Sequence, residues 1–169
     1  MLALSLLLAG IIVRFVPHAP NFTPIAAIAL FGGAYLNRKS ALVVPLALMA
    51  LSDVFLGLHN VVAFTWGGIL LTAILGFSLQ KKLSALRVAG LSIISSLLFF
   101  LISNFGVWVM GWYPRTAEGL IQCYAAAIPF LRNFTVSTLV YSAVLFASYE
   151  LIAAAVRGKP AACVLLKKI

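Results

Sequence analysis

The sequence contains very few charged residues. Only 9% of its 169 residues are Asp, Glu, Lys or Arg, and only three are acidic, whereas 64% of the chain is hydrophobic. A soluble globular domain has about a quarter of its residues charged, because its surface must be hydrated. This shortage of charge excludes a soluble domain and indicates a protein whose surface lies largely against lipid.

Recognisable motifs for catalysis or metal binding are also missing. The two histidines and two cysteines do not fall at zinc-site spacings. No metalloprotease, phosphate-loop, dinucleotide-binding or Ser/His/Asp pattern occurs. We therefore predict that the chain is not an enzyme and has no intrinsic cofactor. Because it has no ATPase motif, we expect it to bind or translocate a solute as a subunit of a larger system.

The hydrophobic residues are concentrated in apolar segments with short polar connections. A bilayer core of about 30 Å requires about 20 helical residues, so the last three segments are long enough to span it and the first three are short. The first segment is also consistent with a signal-peptide core, although Arg14 lies where a cleavage site would be expected. The prediction is an all-α polytopic membrane protein, a single transmembrane domain of residues 1–169 with about six helices in one bundle. The segments are 2–16, 25–36, 41–58, 61–80, 88–110 and 131–156.

The second apolar segment has the features of a helix that begins inside the membrane. Thr23 and Pro24 provide an N-cap and a proline at the first helical position. From there to Tyr35 the helix is only about 20 Å long, at about 1.5 Å per residue. Its first N–H groups would therefore lie below the membrane surface, where they require a polar cavity or a ligand.

The basic residues indicate the orientation of the bundle. Nine of the twelve Lys and Arg occupy alternate connections or follow the last segment, which is the distribution expected of cytoplasmic loops. We therefore predict that both termini are cytoplasmic. The net charge of +9 is explained by contact with anionic membrane lipids and not by nucleic acid, because the basic residues lie in short clusters between apolar segments. These nine residues are Arg38, Lys39, Lys81, Lys82, Arg87, Arg157, Lys159, Lys167 and Lys168.

The connections on the opposite side contain a different mixture of residues. They hold both histidines, all three tryptophans and two of the three acids, and such a combination of aromatic and polar groups suits a small-molecule site. An interfacial belt is the alternative for Trp108 and Trp112. His18, His59 and Cys123 are the candidate metal ligands, with a buried inert thiol as the alternative for Cys123. The predicted ligand-binding residues are His18, Asn21, Thr23, Asp53, His59, Asn60, Trp66, Asn104, Trp108, Trp112, Tyr113, Arg115, Cys123 and Asn133.

The longest connection on this side is predicted to run from Asn104 to Cys123. The last helix is then expected to begin just after Pro129, with Arg132 and Asn133 at its start. We expect a ligand pocket that is floored by the buried start of the second helix and walled by this long connection.

Two residues of opposite charge are predicted to lie at similar depth. Arg14 follows Leu2 by twelve residues, and Asp53 follows Ala41 by twelve, so each lies about 18 Å along its helix. An unpaired charge at that depth costs at least about 2.5–3.5 kcal/mol, which favours a mutual ion pair. A structural role and a direct role in ligand binding both remain open for the pair.

Several segments resemble a family of bacterial inner-membrane proteins, and the match extends over essentially the whole chain. That family is similar to the substrate-binding S components of energy-coupling-factor transporters, and the solitary vitamin B12 type is the nearest comparison. The segments that carry the resemblance are 17–24 (PHAPNFTP), 29–35 (ALFGGAY), 51–53 (LSD), 103–108 (SNFGVW), 113–114 (YP) and 123–124 (CY).

This resemblance implies a function, a location and partners. It implies a helical bundle in the bacterial inner membrane that captures a vitamin or a metal from outside, with cobalamin as a transported ligand. It also implies coupling to a transmembrane T component and cytoplasmic ATPases. The first helix lacks the Ala-x-x-x-Ala pattern that S components often use for docking. A membrane enzyme or assembly factor that acts on a lipid or cofactor is the alternative function.

Overall fold

The computed structural model describes residues 1–158, in which six α-helices are joined by connections and no strand occurs. This confirms the predicted all-α class and the predicted number of helices in the described part of the chain. The predicted cytoplasmic residues Lys159, Lys167 and Lys168 lie outside the described residues. The helices are α1 (Leu2–Val13), α2 (Ile25–Tyr35), α3 (Arg38–Leu56), α4 (Val62–Lys81), α5 (Ala85–Val109) and α6 (Ala117–Val156).

Four helices in residues 1–158, α3 to α6, are long and apolar enough to cross a membrane, while α1 and α2 are shorter apolar helices. The molecule is therefore a membrane protein. α3 has 19 residues, more than its apolar segment predicted, because it begins at Arg38. The Asn37 side chain caps it, accepting a hydrogen bond from the Ser40 backbone N–H at 3.0 Å, so the basic residues join the first turn of the helix.

The last helix differs most from the sequence prediction. α6 begins at Ala117 and not at residue 131, and it continues for 40 residues. Thr116 caps it, accepting a hydrogen bond from the Gly119 backbone N–H at 3.2 Å. Pro129 lies inside α6. A proline removes one backbone donor and usually bends a helix, but α6 continues through it to Val156.

The earlier start of α6 corrects two further predictions. Arg132 and Asn133 lie in the middle of α6 and do not open it. The predicted connection from Asn104 to Cys123 is reduced to residues 110–116, because Asn104 belongs to α5 and Cys123 to α6.

α2 lies at the centre of the bundle and contacts all five other helices. These five form a closed ring around it, in the order α1, α3, α4, α5 and α6, with α6 returning to α1. Every residue from Ile25 to Gly33 is buried. A helix that is apolar on all sides suits this position, because it has no polar face to present to water or to lipid headgroups.

α2 packs most closely against α4, at a pair of glycines. A Cβ atom added to Gly33 would lie 2.2 Å from the Ala73 carbonyl oxygen, and one added to Gly76 would lie 2.5 Å from the Leu30 carbonyl oxygen. The two backbones are therefore in direct contact, as is common where small residues meet in membrane helices. Gln80 Nε2 donates to the Gly33 carbonyl oxygen at 2.7 Å, which satisfies one of the free carbonyls at the end of α2.

The two ends of the bundle differ in composition. The basic end carries the α2–α3 and α4–α5 connections together with Arg38 and Lys82; the Asn21 end carries the other three connections. α2 finishes at the basic end, where the Tyr35 hydroxyl donates to the Glu150 carboxylate at 2.5 Å. Because α2 has only 11 residues, and is therefore about 16 Å long, it leaves the interior of the ring unfilled at the Asn21 end.

Candidate functional site

A cavity of about 290 Å³ occupies the part of the ring that α2 does not fill. Residues from each of the five ring helices or their ends contribute to its wall. The volume lies near the lower limit of small-molecule sites, which enclose about 300–1,000 Å³. The polar lining residues are Arg14, Asn21, Thr23, His59, Thr65, Ser103 and Asn104, and the apolar ones are Ile25, Met49, Val61, Phe99, Phe100, Val107, Phe130, Leu131 and Phe134.

The N-terminus of α2 forms the floor of the cavity. The Ile28 N–H donates to the Pro24 carbonyl oxygen at 2.9 Å, so the N–H groups before Ile28 have no acceptor within the helix. The helix dipole adds a partial positive charge at the same place. A negatively charged or hydrogen-bond-accepting group is therefore favoured at this end of the cavity.

Thr23 does not play the capping role that the sequence predicted. The N-cap of α2 is Pro24, which has no side-chain capping bond. Thr23 lies one position too early to cap, and within the described chain its buried hydroxyl oxygen has no hydrogen-bond partner. Its backbone carbonyl accepts a hydrogen bond from the Ser137 hydroxyl of α6 at 3.2 Å. The residue is thus held at the cavity wall with its hydroxyl group unused.

The α1–α2 connection turns into the ring through Asn21. This residue has a φ of 59°, a left-handed conformation that asparagine tolerates better than most residues. The Asn133 side chain of α6 donates to the Pro20 carbonyl oxygen at 3.1 Å and anchors the turn. Asn133 therefore positions a lining residue without lining the cavity itself.

Arg14, Asp53 and Trp66 form a hydrogen-bonded network beside the cavity. The Arg14 guanidinium lies 2.6 Å from Asp53 Oδ1, and the Trp66 indole N–H donates to Asp53 Oδ2 at 2.9 Å. The Ser52 hydroxyl also accepts a hydrogen bond from Arg14. The side chain of Asp53 is only 2% exposed, and a buried carboxylate requires such partners for both of its oxygens. The predicted ion pair between Arg14 and Asp53 is confirmed.

Arg14 belongs to the cavity lining, whereas no acidic residue among the described ones does. Asp53 contacts the guanidinium without being part of the lining, and it offsets much of the charge of Arg14. The lining therefore offers an anion the remaining N–H donors of Arg14 and the N-terminus of α2.

The remaining wall is aromatic and aliphatic. Phe99 of α5 and Phe134 of α6 are stacked, with ring centroids 4.5 Å apart. On α5, Phe99, Ser103 and Val107 follow one another at intervals of four and so share a helix face. Sequence reasoning missed these α5 positions because α5 reads as an ordinary apolar span. A serine within that apolar run was the sequence feature that could have indicated these cavity-lining positions.

Four of the predicted site residues line the cavity: Asn21, Thr23, His59 and Asn104. Asp53 and Trp66 belong to the adjoining Arg14 network. The structure thus brings together residues from the connections α1–α2 and α3–α4 and from the end of α5.

The other predicted residues lie outside the cavity lining. The Trp108 indole N–H donates to the Pro114 carbonyl oxygen at 3.0 Å, and Arg115 donates to the Val109 carbonyl oxygen at 2.8 Å. Both bonds stabilise the α5–α6 connection itself. The predicted wall is therefore corrected: helix α5 forms it, because α5 continues well past Asn104. The predicted residues outside the lining also include His18, Asn60, Trp112, Tyr113, Cys123 and Asn133.

The candidate metal ligands are not gathered into one site. Within residues 1–158 no group of three or more His, Cys, Asp or Glu side chains is close enough to hold a metal ion. His59 lines the cavity, while the His18 ring Nδ1 lies 3.0 Å from the Ala19 carbonyl oxygen. Cys123 is buried and its thiol contacts the Asn104 carbonyl oxygen at 3.4 Å.

The apolar helices and the cavity between them define a polytopic α-helical membrane protein with a pocket at one end of the bundle. The chain belongs to the family of unknown function DUF6580, whose model matches residues 1–162. No curated protein and no protein of solved structure matches the chain.

Proposed function

We propose that the protein is the substrate-binding membrane subunit of an uptake system for a small micronutrient, which it holds in the cavity beyond the N-terminus of α2. One observation supports this above all: the cavity lies within the ring of helices, and its lining joins Arg14, Asn21 and Asn104 to a mostly aromatic and aliphatic wall. A few polar groups on an otherwise apolar wall are typical of small-molecule sites.

The proposal includes a transmembrane T component and cytoplasmic ATPases as partners, of the kind used by energy-coupling-factor transporters. Its support is the absence of any ATPase motif from the sequence, since active uptake then requires energy from another subunit. We further propose that the protein lies in a bacterial inner membrane with its basic end in the cytoplasm, as the positive-inside rule favours. Both termini would then be cytoplasmic.

The volume of the cavity bears on which ligand is proposed. At about 290 Å³ it suits a small organic molecule near the lower limit of ordinary ligand sites. Cobalamin, with its corrin macrocycle and nucleotide arm, exceeds such a space. A small vitamin or vitamin precursor is therefore the preferred ligand.

The proposed binding site can be tested by filling it. We expect native mass spectrometry of the gently purified protein to reveal a retained small molecule, and Ser103→Phe to abolish it because Ser103 lines the cavity. Leu101→Phe is the matched control, since Leu101 lies on the same helix and is 53% exposed on the lipid-facing surface. Retention of the molecule by Ser103→Phe would contradict the proposed site. Chemical conversion of the molecule would favour the membrane-enzyme alternative.

The proposed orientation predicts a difference in thiol labelling. In a background with both native cysteines replaced by serine, Ala117→Cys should react with a membrane-impermeant maleimide in intact cells, because Ala117 is exposed at the Asn21 end. Lys82→Cys, at the exposed basic end, should react only after the cells are permeabilised. Labelling of Lys82→Cys alone in intact cells would reverse the orientation.

A further inference from the structure

Arg14 retains hydrogen-bonding capacity in the cavity. An arginine has five N–H donors. Within the described chain, Arg14 uses three of them: Nη1 donates to the Met49 carbonyl and the Ser52 hydroxyl, and Nη2 donates to Asp53. The side chain is 14% exposed and belongs to the cavity lining. Two donors of a largely buried guanidinium are therefore left for another acceptor.

Three features favour an anionic group at that position. Arg14 belongs to the cavity lining and keeps two N–H donors beyond those given to Met49, Ser52 and Asp53. The N-terminus of α2 borders the same cavity through Ile25. No acidic side chain belongs to the described lining, so a cationic ligand would find no counter-charge. A carboxylate matches the planar guanidinium and is small enough for the available space.

The rest of the cavity specifies the other part of the ligand. Phe99 and Phe134 form a stacked aromatic surface, and Phe100 and Phe130 also belong to the lining. Aromatic rings pack favourably on such surfaces. The volume of about 290 Å³ suits a compact body better than a long acyl chain.

We infer that the cavity selects a small soluble monocarboxylate with an aromatic or compact apolar body, and that Arg14 is the residue that determines this specificity. The inference rests on the proposed binding function and names the class of its ligand. The guanidinium is shared between the ligand carboxylate and Asp53, so it recognises the ligand and holds α1 against α3 at the same time. The ligand carboxylate and Asp53 then share the positive charge of Arg14.

Sharing of Arg14 makes Trp66 a reporter of binding. The Trp66 indole N–H donates to the second carboxylate oxygen of Asp53 at 2.9 Å. When a ligand carboxylate binds the Arg14 guanidinium, the ion pair with Asp53 weakens. The strength of the hydrogen bond from Trp66 to Asp53 then changes as well. Since Trp108 and Trp112 lie outside the lining, replacing both with phenylalanine leaves Trp66 as the single tryptophan.

The test compares matched probes on the full-length protein in detergent at neutral pH. We expect 3-phenylpropionate to change Trp66 fluorescence and to bind at least about tenfold more tightly than its neutral amide, 3-phenylpropanamide, because an ionised acceptor strengthens its hydrogen bonds. The cationic analogue 3-phenylpropylamine should bind more weakly than the amide. Dodecanoate, which represents an anionic lipid from the bilayer, should bind more weakly than 3-phenylpropionate.

A variant without the ion pair tests whether Arg14 causes the preference for a carboxylate over its amide. The double variant Arg14→Gln/Asp53→Asn replaces the ion pair with neutral groups of similar size, so it avoids a lone buried charge. Calorimetry, which does not depend on the Trp66 hydrogen bond, should show that it binds 3-phenylpropionate and the amide equally, and its affinity for the amide shows that the cavity is intact.

Each contrary outcome has a distinct meaning. Equal affinities of wild type for the carboxylate and the amide, both lost in Ser103→Phe, would overturn the inference about Arg14 and leave the binding function standing. Tighter binding of dodecanoate than of 3-phenylpropionate would overturn the choice of a soluble ligand. If no probe binds and no molecule is retained in native mass spectrometry, the inference and the proposed function both fail.

Discussion

Replacing Asp53 with asparagine is expected to destabilise the folded protein by about 3–5 kcal/mol, the usual cost of breaking a buried ion pair by removing one partner. The pair is buried on both sides, with side-chain exposures of 14% for Arg14 and 2% for Asp53. The variant leaves the Arg14 guanidinium largely buried without its counter-ion. Thermal unfolding of the purified protein in detergent measures the change, and Lys82→Gln, at an exposed residue of the α4–α5 connection, is the control that should leave the unfolding temperature unchanged.

The same pair allows a double-mutant cycle. Arg14→Gln added to Asp53→Asn should recover part of the lost stability, because two neutral side chains replace one uncompensated charge. Residues that contact each other show such coupling, whereas independent sites give additive losses. Additive losses in this cycle would contradict the contact between Arg14 and Asp53.

A larger side chain at the crossing of α2 and α4 is expected to have a comparable effect. Gly33→Ala would place its Cβ 2.2 Å from the Ala73 carbonyl oxygen, and Gly76→Ala would place its Cβ 2.5 Å from the Leu30 carbonyl oxygen. Backbone atoms cannot move aside as a flexible side chain can. We therefore expect each variant to lose about 3 kcal/mol of stability, the upper part of the usual range for overpacking, or to fail to accumulate in the membrane.

Gly67→Ala provides the matched control for this prediction. Gly67 lies on the same helix as Gly76, but a Cβ atom there meets nothing within 4 Å. This variant should match the wild type in yield and unfolding temperature, since alanine is also the better helix former. Equal stability of Gly33→Ala and Gly67→Ala would contradict the close crossing.

Features with strong local signals were predictable from the sequence. The apolar runs gave the helices, because a lipid-exposed helix must satisfy its backbone internally and be apolar over its length. The pairing of Arg14 with Asp53 followed from equal depth and opposite sign, since an isolated charge inside a membrane is costly. The internal start of α2 followed from its shortness, and the cavity at Asn21 and Thr23 is where that argument placed it.

Features that depend on tertiary packing were not predictable. The apolar pattern predicts that the last helix begins just after Pro129, yet Pro129 lies inside α6. That error turned residues 117–130 of α6 into an apparent connection, and the cavity wall was assigned to the long connection that resulted. The residues that form this wall, such as Phe99 and Val107, are apolar, and nothing local distinguishes an apolar residue facing a cavity from one facing lipid.

The central position of α2 has a consequence for the synthesis of the protein. α2 is too short to span a bilayer alone, and all of its residues from Ile25 to Gly33 are covered by helices that include α4, α5 and α6. Most of the helices that surround α2 are therefore translated after it. The ring closes only when α6, the last described helix, meets α1. A nascent chain that has not yet released α6 lacks the α6 side of the cavity, so the cavity is complete only when α6 has joined the ring.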